Sequence, residues 1–263
     1  MTFDLVRIDR AASALAAAWT MKTQIDDLPE ADRPTSIEEA YAIQERMVAA
    51  LPDVVSGWKI GAASQTALQK YGFKEPFIAR ILGTRVYASP ATIKAADYGM
   101  RGIETEFAFR ITTDDLRAVF APFARERVIA AAGELIPAIE LIDTRLKAWP
   151  KVGPLSFIAD NGIHGAFVMG KPVRDWAKVA LGRQTAAVSV NGKEANKGSG
   201  ADVLGDPVNA LVWLANALPR MGKELREGDL VTTGTAAGVA WANAGDEAVS
   251  RVGEFGTVTV RFV

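Results

Sequence analysis

The sequence of 263 residues contains no cysteine and a single histidine, His164. The absence of cysteine excludes disulfide bonds and thiolate catalysis, and it is compatible with a reducing cytosol. One histidine cannot build a histidine-ligated metal site by itself. The longest uncharged run near the N-terminus, residues 11–21, is too short to span a bilayer, so we expect a cytoplasmic protein without membrane contact.

The sequence also lacks an excess of either charge. Its 30 Lys and Arg residues balance 31 Asp and Glu residues, giving a formal net charge of −1. This balance gives no reason to expect nucleic acid or another polyanion as a partner. Hydrophobic residues make up 49% of the chain, which is enough for a sizeable core. Small-molecule chemistry is therefore the favoured class of function.

The N-terminal segment has the pattern of two amphipathic helices joined by a proline- and aspartate-rich loop. Asp9 is the expected cap of the first helix, and Ser36 with Glu39 has the spacing of a capping box before the second. We expect these helices, residues 1–52, to form a cap on a β-rich catalytic domain of residues 53–263.

The segment GIETEF contains two glutamates with strand spacing. Alternation places Glu104 and Glu106 on one face of a strand, roughly 7 Å apart. The opposite, buried face is predicted to consist of Ile103, Phe107, Phe109 and Ile111. Taken alone, such a pair is more often solvated surface charge than a site.

A third carboxylate changes this interpretation. Glu140 is the only charged residue between Leu135 and Ile142, so it is expected among apolar neighbours. A lone buried carboxylate is costly unless it is paired or bound to a metal. Three carboxylates without cysteine favour a hard divalent ion, Mg²⁺ or Mn²⁺, over zinc.

Lys59 stands in a short apolar strand between Gly57 and Gly61, with Trp58 and Ile60 on the opposite face. Two interpretations remain open. The side chain either extends to solvent, or it points into the carboxylate site, where it neutralises a bound acid or transfers protons.

Residues 157–170 are predicted to form two apolar strands around a glycine-flanked turn that carries His164. The histidine is either a general base or a hydrogen-bonded turn residue. Asp143 and Arg145 are predicted to form a surface pair, with an orienting role at the site as the alternative. Residues 195–207 are predicted to form a glycine-rich loop.

Seven motifs occur together in a recognisable order from Ser36 onward: GWKIG, ETEFAF, PAIELID, ADNG, GSGADVLGDP, ALVWLANAL and GDLVTTGT. This set resembles the 2-keto-4-pentenoate hydratase and 4-oxalocrotonate decarboxylase branch of the fumarylacetoacetate hydrolase superfamily. The resemblance implies an α+β fold, a rolled mixed β-sandwich with peripheral helices and an N-terminal helical cap. It also implies a homo-oligomer.

The resemblance further implies a site. The positions that match the family's ligands to Mg²⁺ or Mn²⁺ are Glu104, Glu106 and Glu140. Lys59 matches the active-site lysine, while Gly234 and Thr235 match the TGT turn that helps to hold the substrate. A 2-oxo acid or its enol can chelate one hard cation, which then stabilises the enolate.

The chain departs from the family pattern at one functional position. Where the family commonly carries QPDFG, this sequence has EPFIA, with Phe77 at the position of the acid and Ala79 at that of the glycine. Glu75 and His164 are the candidates to replace that acid. Three functions stay open: a hydratase of a 2-hydroxy-2,4-dienoate, a related 2-oxo-acid decarboxylase or acylpyruvate-type hydrolase, and a non-catalytic paralogue that binds a 2-oxo acid.

Overall fold

A computed structural model describes residues 4–263 of the chain. The helices are α1 (Leu5–Met21), α2 (Ile37–Ala49), α3 (Gln65–Tyr71), α4 (Arg125–Ala131), α5 (Pro154–Ala159) and α6 (Pro207–Ala217). The strands are β1 (Val55–Gly61), β2 (Phe77–Leu82), β3 (Val86–Ala88), β4 (Ala91–Ile93), β5 (Gly102–Arg110), β6 (Glu134–Ile142), β7 (His164–Met169), β8 (Thr185–Val190), β9 (Lys193–Ser199), β10 (Leu230–Trp241), β11 (Glu247–Val252) and β12 (Gly256–Phe262).

The strands form two mixed sheets that pack face to face. One sheet has seven strands in the order β2-β1-β10-β5-β6-β7-β3, and the other has five in the order β4-β12-β11-β8-β9. Ile139 and Val168 of the first sheet pack against Val188 and other apolar side chains of the second. This architecture confirms the predicted α+β β-sandwich with peripheral helices.

Strand β5 lies at the centre of the larger sheet and is buried on both faces. Ile103, Phe107 and Phe109 are fully buried, as predicted for one face. On the opposite face, Ala108 packs with Ile136 and other buried residues. The second face is therefore largely enclosed, even though the strand carries two glutamates on it.

Helix α1 begins earlier than the sequence pattern suggests. Its cap is Asp4, whose carboxylate accepts hydrogen bonds from two amides of the first turn, so the prediction of Asp9 as the cap is wrong. Ser36 does cap α2. The capping box is incomplete, however, because the Glu39 carboxylate accepts from the Thr35 amide rather than from that of Ser36.

Helices α1 and α2 are attached to the rest of the chain by buried contacts. The Gln44 amide on α2 donates hydrogen bonds to the carbonyls of Ile78 and Ile158, at 3.0 and 2.7 Å. The boundary of a separate cap at residue 52 stays a prediction. Within residues 4–263, every helix is too short or too polar to cross a membrane.

Two local predictions need correction. The first half of residues 157–170 is the end of helix α5 and a 3₁₀ turn rather than a strand, and the strand begins at His164. Residues 195–207 are not simply a loop, because β9 extends to Ser199 and a 3₁₀ turn follows. Strand β9 forms because β8 pairs with it, and this tertiary context outweighs the low strand propensity of its polar residues and glycine.

Candidate active site

Three carboxylates converge on the face of the larger sheet that is turned away from the sandwich. Strands β5 and β6 pair antiparallel with Glu104 directly opposite Glu140, and Glu106 lies two residues further along β5. Each side chain offers an oxygen that lies within 4.8 Å of the other two. Like charges at such cross-strand positions are destabilising. The cluster is therefore unfavourable unless positive charge is supplied.

Glu106 is completely buried and only partly paired. Its Oε2 accepts a hydrogen bond from the Gly234 amide at 2.7 Å, whereas its Oε1 has no hydrogen-bond partner among the described residues. Gly234 has a φ of 101°, and a Cβ at this position would lie 2.6 Å from the Cβ of Ala63. A residue larger than glycine would thus disturb the amide that holds Glu106.

Glu140 is the partner of the one lysine in the cluster. Its Oε1 lies 2.7 Å from the Lys59 Nζ and 3.0 Å from the His164 Nδ1. Its Oε2 has no partner within residues 4–263. Lys59 is 3% exposed, so its ammonium group points into the site and does not extend to solvent.

The environment separates the acidities of the three carboxyl groups. Burial raises the pKa of Glu104 to about 7, although the Lys59 ammonium opposes this shift. Burial, together with the charges of Glu140 and Glu104, raises the pKa of Glu106 well above its usual value. Burial also disfavours the charge of Glu140, but Lys59 and His164 outweigh it and lower the pKa of that carboxyl. Glu140 is the carboxylate that stays ionised most easily.

His164 lies behind Glu140 at the start of β7. Its ring is stacked on Trp19 of α1, with centroids 6.4 Å apart. Burial lowers the pKa of His164, even though Glu140 favours the charged form. The pocket described below is lined by other residues, so the structure brings His164 to Glu140 and not to the pocket wall.

A left-handed turn connects α5 to His164. Asn161, Gly162 and Ile163 have φ values of 47°, 61° and 53°. The Asn161 side chain fixes this turn because it both accepts from the Arg80 amide at 2.9 Å and donates to the Arg80 carbonyl at 3.0 Å. A β-branched residue such as Ile163 is an uncommon occupant of this region, since its side chain crowds the backbone.

The same turn is held by a buried ion pair. The Arg145 Nε donates to the Asp160 Oδ1 at 2.5 Å, and Arg145 Nη1 donates to the His164 carbonyl at 2.8 Å. Asp143 instead accepts from the Met100 amide. Both Asp143 and Arg145 are buried. The predicted surface pair of these two residues is therefore wrong, and Arg145 positions the chain next to the site.

A pocket of about 440 Å³ opens from the carboxylate cluster. Lys59, Glu104, Gly234 and Thr235 line one end, which we call the acidic end. Phe77, at the position where the family carries an acid, is buried in the pocket wall with its ring on Gly61, where a Cβ would lie 2.1 Å from the ring. The wall there is apolar.

The other end of the pocket was not foreseen from the sequence. Its lining includes four aromatic side chains from α3, α5, β10 and the loop before α5, which we call the aromatic wall: Tyr71, Trp149, Phe157 and Trp241. A partial signal was present, because Val239 and Trp241 follow the TGT turn in one strand with alternating spacing. No sequence pattern indicated that the other three aromatic residues, from other segments, would join the pocket.

The structure does not bring Glu75 to the pocket. Its side chain is about half exposed. Its carboxylate accepts hydrogen bonds from the Trp213 indole and the Arg220 guanidinium, both at 3.1 Å. Of the candidates to replace the missing acid, neither Glu75 nor His164 contributes to the pocket lining that residues 4–263 provide.

The donor set fits a hard divalent cation. Two buried carboxylate oxygens, Glu106 Oε1 and Glu140 Oε2, have no hydrogen-bond partner in the described part of the chain. Buried acceptors are rarely left unsatisfied. Oxygen donors of this kind are the ligands preferred by Mg²⁺, Mn²⁺ and Ca²⁺.

Comparison with known proteins places this site in context. Residues 86–263 match the family described as fumarylacetoacetate (FAA) hydrolase C-terminal. The 2-hydroxyhexa-2,4-dienoate hydratase of Comamonas testosteroni is 31% identical over 259 residues, covering 96% of this chain and 95% of the relative. The 2-keto-4-pentenoate hydratase of Paraburkholderia xenovorans is 27% identical, covering 97% of this chain and 94% of the relative.

A solved structure resembles the whole chain. The 4-oxalocrotonate decarboxylase from Pseudomonas putida G7, complexed with magnesium and adipate, superposes with a TM-score of 0.91 at 23% identity, covering 100% of this chain and 99% of that one. At this identity the likeness establishes the fold. It agrees with the two-sheet architecture and with the peripheral helices described above.

Proposed function

The chain belongs to the fumarylacetoacetate hydrolase family, and we propose that within it the protein is a metal-dependent hydratase of 2-hydroxy-2,4-dienoates. It adds water to give a 4-hydroxy-2-oxo acid, as in the catabolism of aromatic compounds. The observation that carries this proposal is the placement of Lys59 beside three converging carboxylates at one end of the pocket. The full-length likeness to named hydratases supports it.

Mg²⁺ is the cation that we propose, with Mn²⁺ as the alternative. Glu104, Glu106 and Glu140 would hold it through carboxylate oxygens. When bound, the cation would act as a Lewis acid toward the C2 oxygen and the carboxylate of the substrate. Magnesium in a neighbour of the same fold is in keeping with this choice.

The protein groups bind and orient the substrate. Lys59 lines the pocket, so its ammonium faces the carboxylate and the C2 oxygen of a ligand at the acidic end. Gly234 and Thr235 lie on the same lining and shape the substrate site from β10. The Gly234 amide fixes Glu106, and the Thr235 hydroxyl donates to the Gly238 carbonyl. The preorganised positive charge of Lys59 stabilises the negative charge that develops on the C2 oxygen in the transition state more than it stabilises the uncharged C2 hydroxyl of the ground state.

The reaction requires several proton movements. The enol loses its O–H proton and C5 gains one, which leaves a C3=C4 double bond conjugated with the C2 carbonyl. Water then bonds to C4 and gives up one proton, while a proton adds to C3. Lys59 is the protein group that we assign to these transfers, because Phe77 replaces the usual acid and Glu75 lies elsewhere. His164 keeps Glu140 in place from behind and thus acts as a positioning residue.

The test is turnover of 2-hydroxypenta-2,4-dienoate with Mg²⁺, followed by loss of the dienol absorbance and by mass analysis of the product. A gain of one water supports the hydratase. Release of CO₂ from a 4-oxalocrotonate substrate would instead support a decarboxylase, and two fragments from an acylpyruvate would support a hydrolase. A protein that binds Mg²⁺ and oxalate but turns over none of these would be a binding paralogue.

The predicted homo-oligomer remains part of the proposal. Light scattering of the purified protein tests it directly. A monomer at micromolar concentration would contradict it.

A further inference from the structure

The aromatic wall is larger than the proposed reaction needs. A 2-hydroxypenta-2,4-dienoate has few heavy atoms and fills on the order of 150 Å³ at protein-like packing density. The pocket measures about 440 Å³. With the head of the substrate at the acidic end, the aromatic wall lines part of the space that remains.

The wall is continuous from one element to the next. The ring centroids of Trp241 and Trp149 are 5.7 Å apart, those of Trp149 and Phe157 are 6.5 Å apart, and those of Phe157 and Tyr71 are 5.3 Å apart. These four side chains come from three regions that are distant along the chain, since only Trp149 and Phe157 lie near each other in sequence. Packing them together creates a single apolar surface that extends away from the carboxylates.

Part of this surface is exposed to solvent without an evident structural need. Trp241 is 49% exposed, although a tryptophan in contact with water costs hydrophobic free energy that burial would recover. Because the residue lines the pocket, a ligand in the pocket can cover it. An isolated exposed apolar residue needs no explanation, but this one continues a wall that begins at the site.

A second observation comes from the left-handed turn. Ile163 lines the same pocket at a φ of 53°, where a β-branched side chain is strained. Glycine or asparagine would occupy this backbone position more easily. Backbone strain of this kind is retained mostly where the side chain has a use, and this side chain adds apolar surface to the pocket.

We propose that the outer part of the pocket, formed by the aromatic wall and Ile163, is a subsite for a bulky apolar tail. The substrate would then be a 2-hydroxy-2,4-dienoate that carries an alkyl chain or a phenyl group beyond C5. This inference rests on the proposed function for the placement of the head group. A tail that ends in a carboxylate is the competing ligand, since Lys70 also lines the pocket. We expect it to bind more weakly, because the Lys70 side chain is exposed and lies over the Tyr71 ring at 5.1 Å, and an exposed ion pair contributes little free energy.

The subsite predicts how affinity depends on the tail. With saturating Mg²⁺, the dissociation constants of 2-oxobutanoate, 2-oxohexanoate and 2-oxooctanoate are measured by calorimetry. Each buried methylene contributes up to about fourfold, so 2-oxooctanoate should bind at least tenfold more tightly than 2-oxobutanoate. The analogue of 2-oxooctanoate with a carboxylate at the far end, 2-oxooctanedioate, should bind at least tenfold more weakly.

Two matched variants locate the effect. Trp241→Ala should reduce the ratio of the 2-oxobutanoate and 2-oxooctanoate constants to less than threefold. Trp213→Ala removes a tryptophan of α6 that lies outside the pocket lining and should keep the full ratio. A second variant of the wall, Tyr71→Ala, should also reduce the ratio, which guards against a folding defect peculiar to Trp241→Ala.

The outcomes separate this proposal from the proposed function. The apolar subsite is overturned if the wild type binds 2-oxobutanoate and 2-oxooctanoate equally well, or binds 2-oxooctanedioate more tightly than 2-oxooctanoate. Either result has this consequence even if 2-hydroxypenta-2,4-dienoate is hydrated. A ratio above ten supports the subsite even if no dienoate is turned over, in which case the hydratase assignment falls alone. Retention of the full ratio in both wall variants also overturns the subsite.

Discussion

Two buried ion pairs lie close together in this protein, and they differ in one respect. In both the Lys59–Glu140 pair and the Arg145–Asp160 pair, the cation is 3% exposed and the carboxylate 0%. Asp160 has both oxygens occupied, since its Oδ2 also accepts from Thr144 and from the Arg145 amide. Glu140 leaves its Oε2 without a partner in residues 4–263.

The difference separates a structural pair from a pair that is prepared for a ligand. A buried ion pair stabilises a fold only when its remaining hydrogen bonds are satisfied. The planar guanidinium of Arg145 satisfies Asp160 and also the carbonyls of Asp160 and His164, which fixes the turn before β7. Lys59 is a point charge on a flexible stem, and one Glu140 oxygen, beside two more carboxylates, has no hydrogen-bond partner in the described part of the chain. We infer that the cation binds at this oxygen of Glu140 and that the substrate binds next to it.

The largest effect is expected when the Arg145–Asp160 pair is broken. We call it the complete pair, because both carboxylate oxygens are hydrogen-bonded, and we call Lys59–Glu140 the incomplete pair. Arg145→Met should lower the free energy of unfolding by about 3 to 5 kcal/mol, because Asp160 is left buried without its countercharge. Urea denaturation measures this loss. Arg174→Met is the control, since this arginine is 83% exposed beside Glu134 and should cost less than about 1 kcal/mol. Similar losses in the two variants would contradict the structural role of Arg145.

The carboxylates around the incomplete pair should make the stability of the metal-free protein depend on pH in an unusual direction. The pKa of Glu104 is raised from 4.5 to about 7 in the folded protein, so the folded state binds the proton more tightly than the unfolded state. The contribution of Glu104 to stability is therefore present below about pH 4.5 and is lost as the pH rises through 7. Relative to Glu104→Gln in EDTA, the wild type should lose up to about 3 kcal/mol across this range.

Saturating Mg²⁺ gives the matched measurement. With the cation bound, the wild type should become more stable than Glu104→Gln at pH 7.5, so the sign of the difference reverses. The metal-free measurement can also contradict this account. It would do so if the wild type became more stable relative to Glu104→Gln between pH 5 and 7, because the pKa of Glu104 would then not be raised in the folded protein.

Mg²⁺ should raise the stability of the protein through the carboxylates of the incomplete pair. At 100 times its dissociation constant, Mg²⁺ adds about 2.7 kcal/mol to the stability of the wild type. Glu140→Gln should show a much smaller rise in melting temperature with Mg²⁺. The exposed control Glu194→Gln should show the full rise, since this residue lies on β9 at the surface. Equal shifts in all three proteins would exclude the proposed ligand set.

Much of this arrangement followed from short-range pattern. Strand alternation placed Glu104 and Glu106 on one face, and the isolation of Glu140 among apolar residues indicated its burial. The strands that carry these glutamates were also predicted from their apolar patterns, whereas the sandwich followed from the resemblance to the family. In these segments, the local sequence and the global fold agree.

The features that were missed depend on contacts between distant segments. Arg145 was assigned to its sequence neighbour Asp143, but the fold brings Asp160 to it from the end of α5. The N-cap of α1 was misplaced because aspartate occurs at two suitable positions, Asp4 and Asp9. The aromatic wall combines side chains of four segments, so the pattern within one segment indicates at most that segment's own contribution, as for Trp241.

The last prediction concerns the cation of the incomplete pair. Lys59→Met keeps most of the stem between Trp58 and Ile60, and Glu140 retains its contact with His164. With Mg²⁺ present, this variant should therefore lose clearly less stability than Arg145→Met. Its affinity for oxalate and its turnover should each fall at least tenfold, which corresponds to about 1.4 kcal/mol. A fully active variant would show that the ammonium group has no part in the site.

Replacement of the same residue by arginine separates charge from proton transfer. Lys59→Arg keeps the positive charge, but a guanidinium does not release a proton at neutral pH. If Lys59 only neutralises the bound 2-oxo acid, this variant should recover both oxalate affinity and turnover relative to Lys59→Met. If Lys59 also moves protons, oxalate affinity should recover while kcat stays low. Because Phe77 stands where the family carries an acid, we expect the second result.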